Sequence, residues 1–298
     1  MTTRPACGTL GIPAAGTAAE ASRPRARRAC RGRRQIRRTV SAIAVLGVAT
    51  VGWETAARRG GNLFFPPPSA IAAWIHDHWL TGPPSRLYLG DAFLADTSAS
   101  LTRTLSAWAI AAVLGTILGL LLGQSRIAFD LANPVLQFAR ATPPVIVIPV
   151  LFFLFGIGAP LQMALIIIGT IWPVLLNTVA GARAVDPELL DSVRILRVSR
   201  RQRLLHVVVP AAAPAIFTGL RISLGLSLVL MVVSELYAAT DGIGYALLDA
   251  QRSFDLTGMW AWIAVIALIG NLGNAALSAV ERQALARHRP TDLDQQEA

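Results

Sequence analysis

Lysine is missing from all 298 residues, so each of the 27 basic residues is an arginine. That absence excludes an ordinary P-loop, G-x4-G-K-[ST], whose lysine must reach phosphate oxygens. Any ATP hydrolysis that serves this chain belongs to a different polypeptide. Cysteine is nearly absent too. Cys7 and Cys30 have no C-x-x-C spacing and no histidine pair beside them, which leaves neither a disulfide framework nor a zinc site. His76, His78, His206 and His288 are scattered without metal-ligand spacing, and neither H-E-x-x-H nor G-x-S-x-G occurs. Nothing in the chain supports an enzyme. Charge itself is sparse: 15% of residues are charged, against about a quarter in ordinary soluble domains.

What fills the space is apolar. Hydrophobic residues make up 54% of the chain, gathered into several long runs rather than spread over one core. About 20 mostly apolar residues cross the hydrocarbon layer as a helix, and six candidate segments meet or approach that length. They are Thr39–Ala57, Ser98–Gly123, a broken segment from Leu131 to Phe155, Leu161–Ala182, Ile216–Ala239 and Gly258–Val280. The pattern predicts an all-α membrane protein. The third segment is expected to be broken because Asn133, Pro134, Pro143 and Pro144 interrupt it. In the second, Ala111, Gly115, Gly119 and Gly123 place small residues on one helix face. Another backbone can approach closely there, either within the subunit or at a dimer seam.

The formal net charge is +10. Nucleic acid is not the implied partner, because the arginines gather beside apolar spans as the positive-inside rule requires. The leader carries Arg23, Arg25, Arg27, Arg28, Arg31, Arg33, Arg34, Arg37 and Arg38. It falls on the same side as Arg126, the loop 183–203 and the Arg282, Arg287 and Arg289 tail. Both termini are therefore expected in the cytoplasm. The chain divides into a basic tail (1–38), a first span with an extracytoplasmic connection (39–96), a five-helix core (97–285) and a second tail (286–298). Within the connection, Ile71, Trp74, Ile75 and Trp79 have the spacing of a short amphipathic helix at the interface.

The segment 183–213, between the fourth and fifth spans, is charged and carries the most functional information. Asp186 is placed to cap a helix that opens with Pro187, and Glu188 and Asp191 complement its positive end. A second short helix, Arg200–Val208, is expected to end at Pro210, with the joint near Arg197–Ser199.

This segment resembles the so-called EAA loop of permease subunits of ATP-binding-cassette (ABC) importers, with the pattern E-A-A-x3-G-x9-I-x-L-P. The corresponding residues are Asp191, Ser192, Val193, Arg197, Val207, Val209 and Pro210. The spacing is kept while only the proline is identical. Arg197 stands where the pattern has glycine, at a point where glycine would permit a left-handed turn that arginine resists. The wider resemblance covers roughly residues 63–285. It includes P-P-P-S, S-L-x-R-T-L, P-V-L-Q-F-A-R-A-T-P-P, F-G-I-G, P-V-L-L-N-T, P-A-x-F-T-G-L-R and G-I-G-Y. These are similar to the branch handling sulfonates, taurine, nitrate and pyrimidine precursors.

The resemblance implies a six-transmembrane-helix bundle of type I ABC importer permease architecture in a bacterial inner membrane. It also implies a cytoplasmic ATPase that holds ATP and magnesium, an extracytoplasmic substrate-binding protein and a permease homodimer. No cofactor is implied in this chain. Asp191, Ser192, Val193, Arg197, Ser199 and Pro210 would belong to the ATPase-coupling loop, and the cargo would be a small organic anion.

Polar residues inside the spans leave alternatives open. Glu235 is the main acid at membrane depth, where a charge costs about 2.5–3.5 kcal/mol on insertion scales. It is expected either to line a translocation path or to make a structural hydrogen bond near the outer interface. Ser223 and Ser227 share a face with Gly219 and would line a path or pack a neighbour; Asn177 would bridge helices. Arg103, Arg140 and Arg221 would attract an anion but are placed near the cytoplasmic edge. A secondary transporter driven by an ion gradient is the rival reading, and it calls for more intramembrane carboxylates than Glu235 provides.

Overall fold

The computed structural model describes residues 41, 44–61, 63–82 and 88–286. The leader 1–38, the residues 287–298 and the first residues of the predicted span Thr39–Ala57 lie outside that set. Two compact units are present, residues 1–61 and 62–298. In the first, residues 44–60 form helix α1, which exposes Val45, Leu46, Val48 and Val51.

The second unit is helical throughout, with no strand among the described residues. Its helices are α2 (Pro68–Trp79), α3 (Asp91–Gln124), α4 (Arg126–Ala141), α5 (Ile148–Phe155), α6 (Ala159–Arg183), α7 (Pro187–Ile195), α8 (Arg200–Arg203), α9 (Val209–Ala238), α10 (Ile243–Arg252) and α11 (Leu256–Ala286). Four helical stretches are long and apolar enough to cross a membrane: α3, α6, Arg200–Tyr237 and Leu256–Leu285. The pair Arg126–Ala141 and Pro144–Phe155 makes a fifth if counted as one span bent by 86°. The expected break in the third segment is there, but α4 starts at Arg126 rather than near Leu131 and carries Pro134 inside it. Pro143 and Pro144 make the break, since Pro143 is extended and Pro144 opens a short 3-10 turn.

Helix α6 is the centre of the bundle. Its small and β-branched residues meet glycines on both neighbours. A Cβ at Gly115 would lie 3.0 Å from Val174 Cβ, and one at Gly119 would lie 2.6 Å from Thr178 Cβ. A Cβ at Gly123 would lie 2.6 Å from Ala182 Cβ. The small-residue stripe of α3 is thus consumed inside the subunit, against α6, and not at a seam between subunits. On the other side, Gly181 of α6 faces Ala212 and Ala215 of α9, while Gly219 of α9 faces Pro173 and Asn177 of α6.

These pairings set the directions. Residue numbers rise together along α3 and α6, so the two are parallel; α9 runs antiparallel to both. The bent α4–α5 segment returns the chain between them, with Leu136 packed on Leu175 and Val179, and Leu151 on Leu161 and Leu165. One end of the bundle therefore holds Arg126, Arg183 and the 183–213 segment. The opposite end holds the start of α3, the end of α9 and all of α10.

At that opposite end α2 is covered by protein. Ile71 and Trp79 are buried, and Trp79 meets both Phe93 of α3 and Trp262 of α11. The apolar face predicted to lie on the interface is thus largely packed within the subunit. Trp74 stacks on His78 at 4.2 Å between ring centroids.

Candidate functional site: a coupling elbow and a charged clasp

Two features at opposite ends of the bundle stand apart from ordinary packing. The first is the elbow formed by α7 and α8. Asp186 caps α7, its side chain accepting from the Glu188 amide at 2.9 Å and its carbonyl from Leu190 at 3.1 Å. At the far end of α7, the Leu196 amide donates to Ser192 and the Val198 amide to the Val193 carbonyl at 3.3 Å. That second bond, spanning six residues, closes a helix C-terminus of the Schellman type with Arg197 at its turning point. Arg197 has φ of 51°. The left-handed turn that glycine would favour is made here by arginine, against its steric preference.

Ser199 then opens α8 in a reciprocal capping box. Its Oγ accepts from the Gln202 amide, and the Gln202 side chain accepts from the Ser199 amide, each at 3.3 Å. The base of the elbow is welded to the bundle. Val185, Val208 and Ala182 form a buried cluster joined by Leu120, Leu190, Leu204 and Val207. The tip is the reverse: Ile195 is 82% exposed and Leu196 74%. Apolar side chains are thus exposed beside Asp191, Arg197, Arg200 and Arg201, on a base packed into the bundle.

The second arm does not end at Pro210. A single helical stretch runs Arg200–Tyr237, 38 residues long, about 57 Å at the helical rise. A π-helical turn over Leu204–Val208 precedes the proline, with the Val209 amide reaching back to Leu204. Pro210 then sits in the first turn of α9, where its missing N–H is best tolerated. The shift in hydrogen-bond register absorbs the proline, and the helix continues through it.

The second feature lies at the other end. Glu235, on α9, is only 1% exposed. Its carboxylate accepts from Ser100 Oγ at 2.7 and 2.9 Å, from Arg103 Nη2 at 3.0 Å and from the Gly244 amide at 2.8 Å. Arg103 also donates through Nη1 to Asp241 at 2.7 Å. Ser100 Oγ accepts from the Ile243 amide at 2.8 Å, and Asp96 from the Gly242 amide at 2.9 Å. Three consecutive amides at the start of α10 are thus taken by α3 and α9, satisfying groups that a helix N-terminus leaves open. The negative carboxylate also faces the favourable end of the α10 dipole. Gly242 must be glycine: its φ is 109°, and a Cβ would lie 2.7 Å from Arg103 Nη2, Glu235 Oε1 and Ser100 Oγ alike.

The sequence singled out Glu235 but not the set that holds it. Asp96, Ser100, Asp241, Gly242 and Gly244 carry no individual signal in the sequence, although S-L-x-R-T-L and G-I-G-Y stand out as motifs. The spacing of Asp96, Ser100 and Arg103, on one face of α3, was the available signal. Arg103, expected near the edge that carries the 183–213 segment, lies at the opposite end, because α3 runs towards that segment from its own N-terminus. Arg221, on α9 closer to the elbow, pairs with Glu281 of α11.

The other candidate residues are dispersed. Ser223 and Ser227 are fully buried. Ser223 accepts from Trp108 of α3 at 2.8 Å and donates to the Leu220 carbonyl at 2.9 Å, while Ser227 donates to the Leu224 carbonyl at 2.8 Å. Asn177 donates to Pro173 of its own helix at 2.8 Å instead of bridging to another.

Comparison with known proteins gives concordant results. The family described as "Binding-protein-dependent transport system inner membrane component" matches residues 111–285. The taurine transport system permease protein TauC of Escherichia coli (strain K12) is 32% identical over 256 residues, covering 86% of this chain and 91% of that protein. The nitrate import permease protein NrtB of Synechocystis is 33% identical over 183 residues, covering 61% of this chain and 66% of that protein. Among solved structures, an inward-facing form of the MetNI methionine ABC transporter aligns with a TM-score of 0.55 at 18% identity. That alignment covers 63% of this chain and 94% of that one, a likeness of fold.

Proposed function

Because the chain belongs to the family of binding-protein-dependent transport system inner membrane components, we propose a specific division of labour between its two ends. The chain is the membrane permease of an ABC importer and not an enzyme. Its family works with a cytoplasmic ATPase and an extracytoplasmic binding protein. The elbow is the surface the ATPase grips, through Asp191, Ser192, Val193, Arg197 and Ser199. Pro210 marks the join through which force enters the long helix. ATP and magnesium bind the partner ATPase, and the chain works as a homodimer. The arginine-rich end is cytoplasmic, α1 completes six spans, and both termini lie inside the cell.

One observation carries this reading. The elbow is packed rigidly at its base, exposed at its tip, and continuous with a helix that runs unbroken to Glu235 at the other end of the bundle. A push on Arg197 is therefore delivered along the span rather than lost in a flexible loop. Such a bundle changes state because nucleotide and partners bind its two conformations unequally. For cargo, we propose a small oxyanion-bearing solute such as a sulfonate, taurine or nitrate, supported by the names of the relatives.

The test is uptake in sealed vesicles that contain the chain, its ATPase and its binding protein. Uptake is expected with internal ATP and not with an ion gradient alone. Removing Asp191–Ser199 is expected to abolish ATP-driven uptake while membrane insertion persists. Normal uptake by that deletion would take the elbow out of the mechanism.

A further inference from the structure

Glu235 sits near the C-terminal end of α9, and its side-chain bonds all run to two neighbouring helices, α3 and α10. We propose that Glu235 is a positioning residue that locks α10 to α3 and α9 throughout the transport cycle, so that this corner of the bundle travels as one body. The proposal rests on the permease reading above and goes beyond it by naming what does not move.

The geometry supports a lock more than a gate. Every donor to the carboxylate comes from outside its own helix: Ser100 and Arg103 from α3, and the Gly244 amide from α10. Moving α3 away from α9 would take Ser100 and Arg103 together from a 1% exposed carboxylate in a membrane span. Stranding a buried charge in that way is strongly unfavourable. The outer arm is different. Asp241 is 56% exposed on the other side of Arg103, and an ion pair that meets water contributes little. Arg103 can therefore exchange Asp241 for water while keeping Glu235.

Close fit adds a second restraint. Gly242 has no space for a Cβ, and at Gly244 one would lie 2.8 Å from Glu235 Cβ. The start of α10 thus lies directly against the acid, with the backbone itself in contact. Articulation has an alternative place. Between Arg126–Ala141 and Pro144–Phe155 the chain bends by 86°, away from the clasp.

The test measures a distance across the lock. In a Cys7→Ser, Cys30→Ser background, Ala95→Cys on α3 and Gln251→Cys on α10 accept nitroxide labels, since both positions are exposed. Pulsed electron paramagnetic resonance then compares the nucleotide-free complex with the ATP–vanadate-trapped one, with labelled chain diluted in unlabelled chain. The expected result is one narrow distance that is the same in both states. A shift or a second population on trapping overturns the proposal.

Glu235→Gln supplies the complementary measurement. It keeps the shape and removes the charge, and is expected to broaden the same distance distribution and lower ATP-driven uptake. A distribution as narrow as the parent's would show that the acid positions nothing. If the unlabelled chain shows no ATP-driven uptake at all, the permease reading fails and takes the proposal with it. A moving pair in a chain that does transport sinks the proposal alone.

Discussion

Arg103 of α3 and Glu235 of α9 lie 132 positions apart in the chain and 3.0 Å apart in space. The carboxylate is buried and the guanidinium nearly so, at 1% and 13% side-chain exposure. Removing one partner of such a pair costs about 3–5 kcal/mol, because the other charge is left buried alone. Arg103→Gln is therefore expected to lower the unfolding temperature of the detergent-solubilised chain sharply. The double variant Arg103→Gln, Glu235→Gln should lose less than the sum of the two single changes. Additive losses would mean that the two charges do not share one network.

How much of this was legible in the sequence differs between the two ends. The elbow was readable because local signals dictate it: Asp186, Pro187 and Glu188 start α7, and Ser199 with Gln202 starts α8. Where those signals compete with longer-range structure, reading them failed. Pro210 has the signature of a stop, yet a π-turn over Leu204–Val208 carries the helix past it. The clasp was only half legible, since a buried acid advertises itself while its partners come from α3 and α10. No local spacing announces that Ser100 will meet Ile243.

The turn at Arg197 yields a prediction about stability. A left-handed residue other than glycine pays roughly 1–2 kcal/mol in steric conflict. Arg197→Gly should relieve part of that and hold the elbow more firmly. Amide hydrogen exchange is the measurement, with slower exchange expected at Leu196 and Val198, whose amides bond back to Ser192 and Val193. Faster exchange there would mean that the Arg197 side chain supports the turn in a way that outweighs its backbone strain.

The α3–α6 seam makes a sharper contrast between two glycines. At Gly119 a Cβ would lie 2.6 Å from Thr178 Cβ and 2.8 Å from the Leu175 carbonyl oxygen, whereas at Gly225 nothing lies within 4 Å. Overpacking of a tight contact typically costs about 1–3 kcal/mol. Gly119→Val is expected to destabilise the solubilised chain, while Gly225→Ala should be neutral or slightly stabilising through better helix propensity. Thermal unfolding of both variants side by side is the check. Equal behaviour would mean that α3 and α6 separate easily.

Topology follows from the same two ends. The elbow and the α10–α11 turn lie at opposite ends of the bundle, so reagents that do not cross a membrane should distinguish them. The native cysteines, Cys7 and Cys30, both belong to the leader, and replacing them with serine leaves a chain ready for single labels. In sealed right-side-out vesicles, Ser253→Cys beside the exposed Phe254 is expected to react with an impermeant maleimide added outside. Arg201→Cys in α8 should react only after the membrane is permeabilised. The positive-inside bias predicts this order, because Arg126, Arg183, Arg200, Arg201 and Arg203 cluster at the elbow end. Labelling of position 201 from outside would invert the molecule. The elbow would then be out of reach of any cytoplasmic ATPase, and the long helix from Arg200 to Tyr237 would have no motor to answer to.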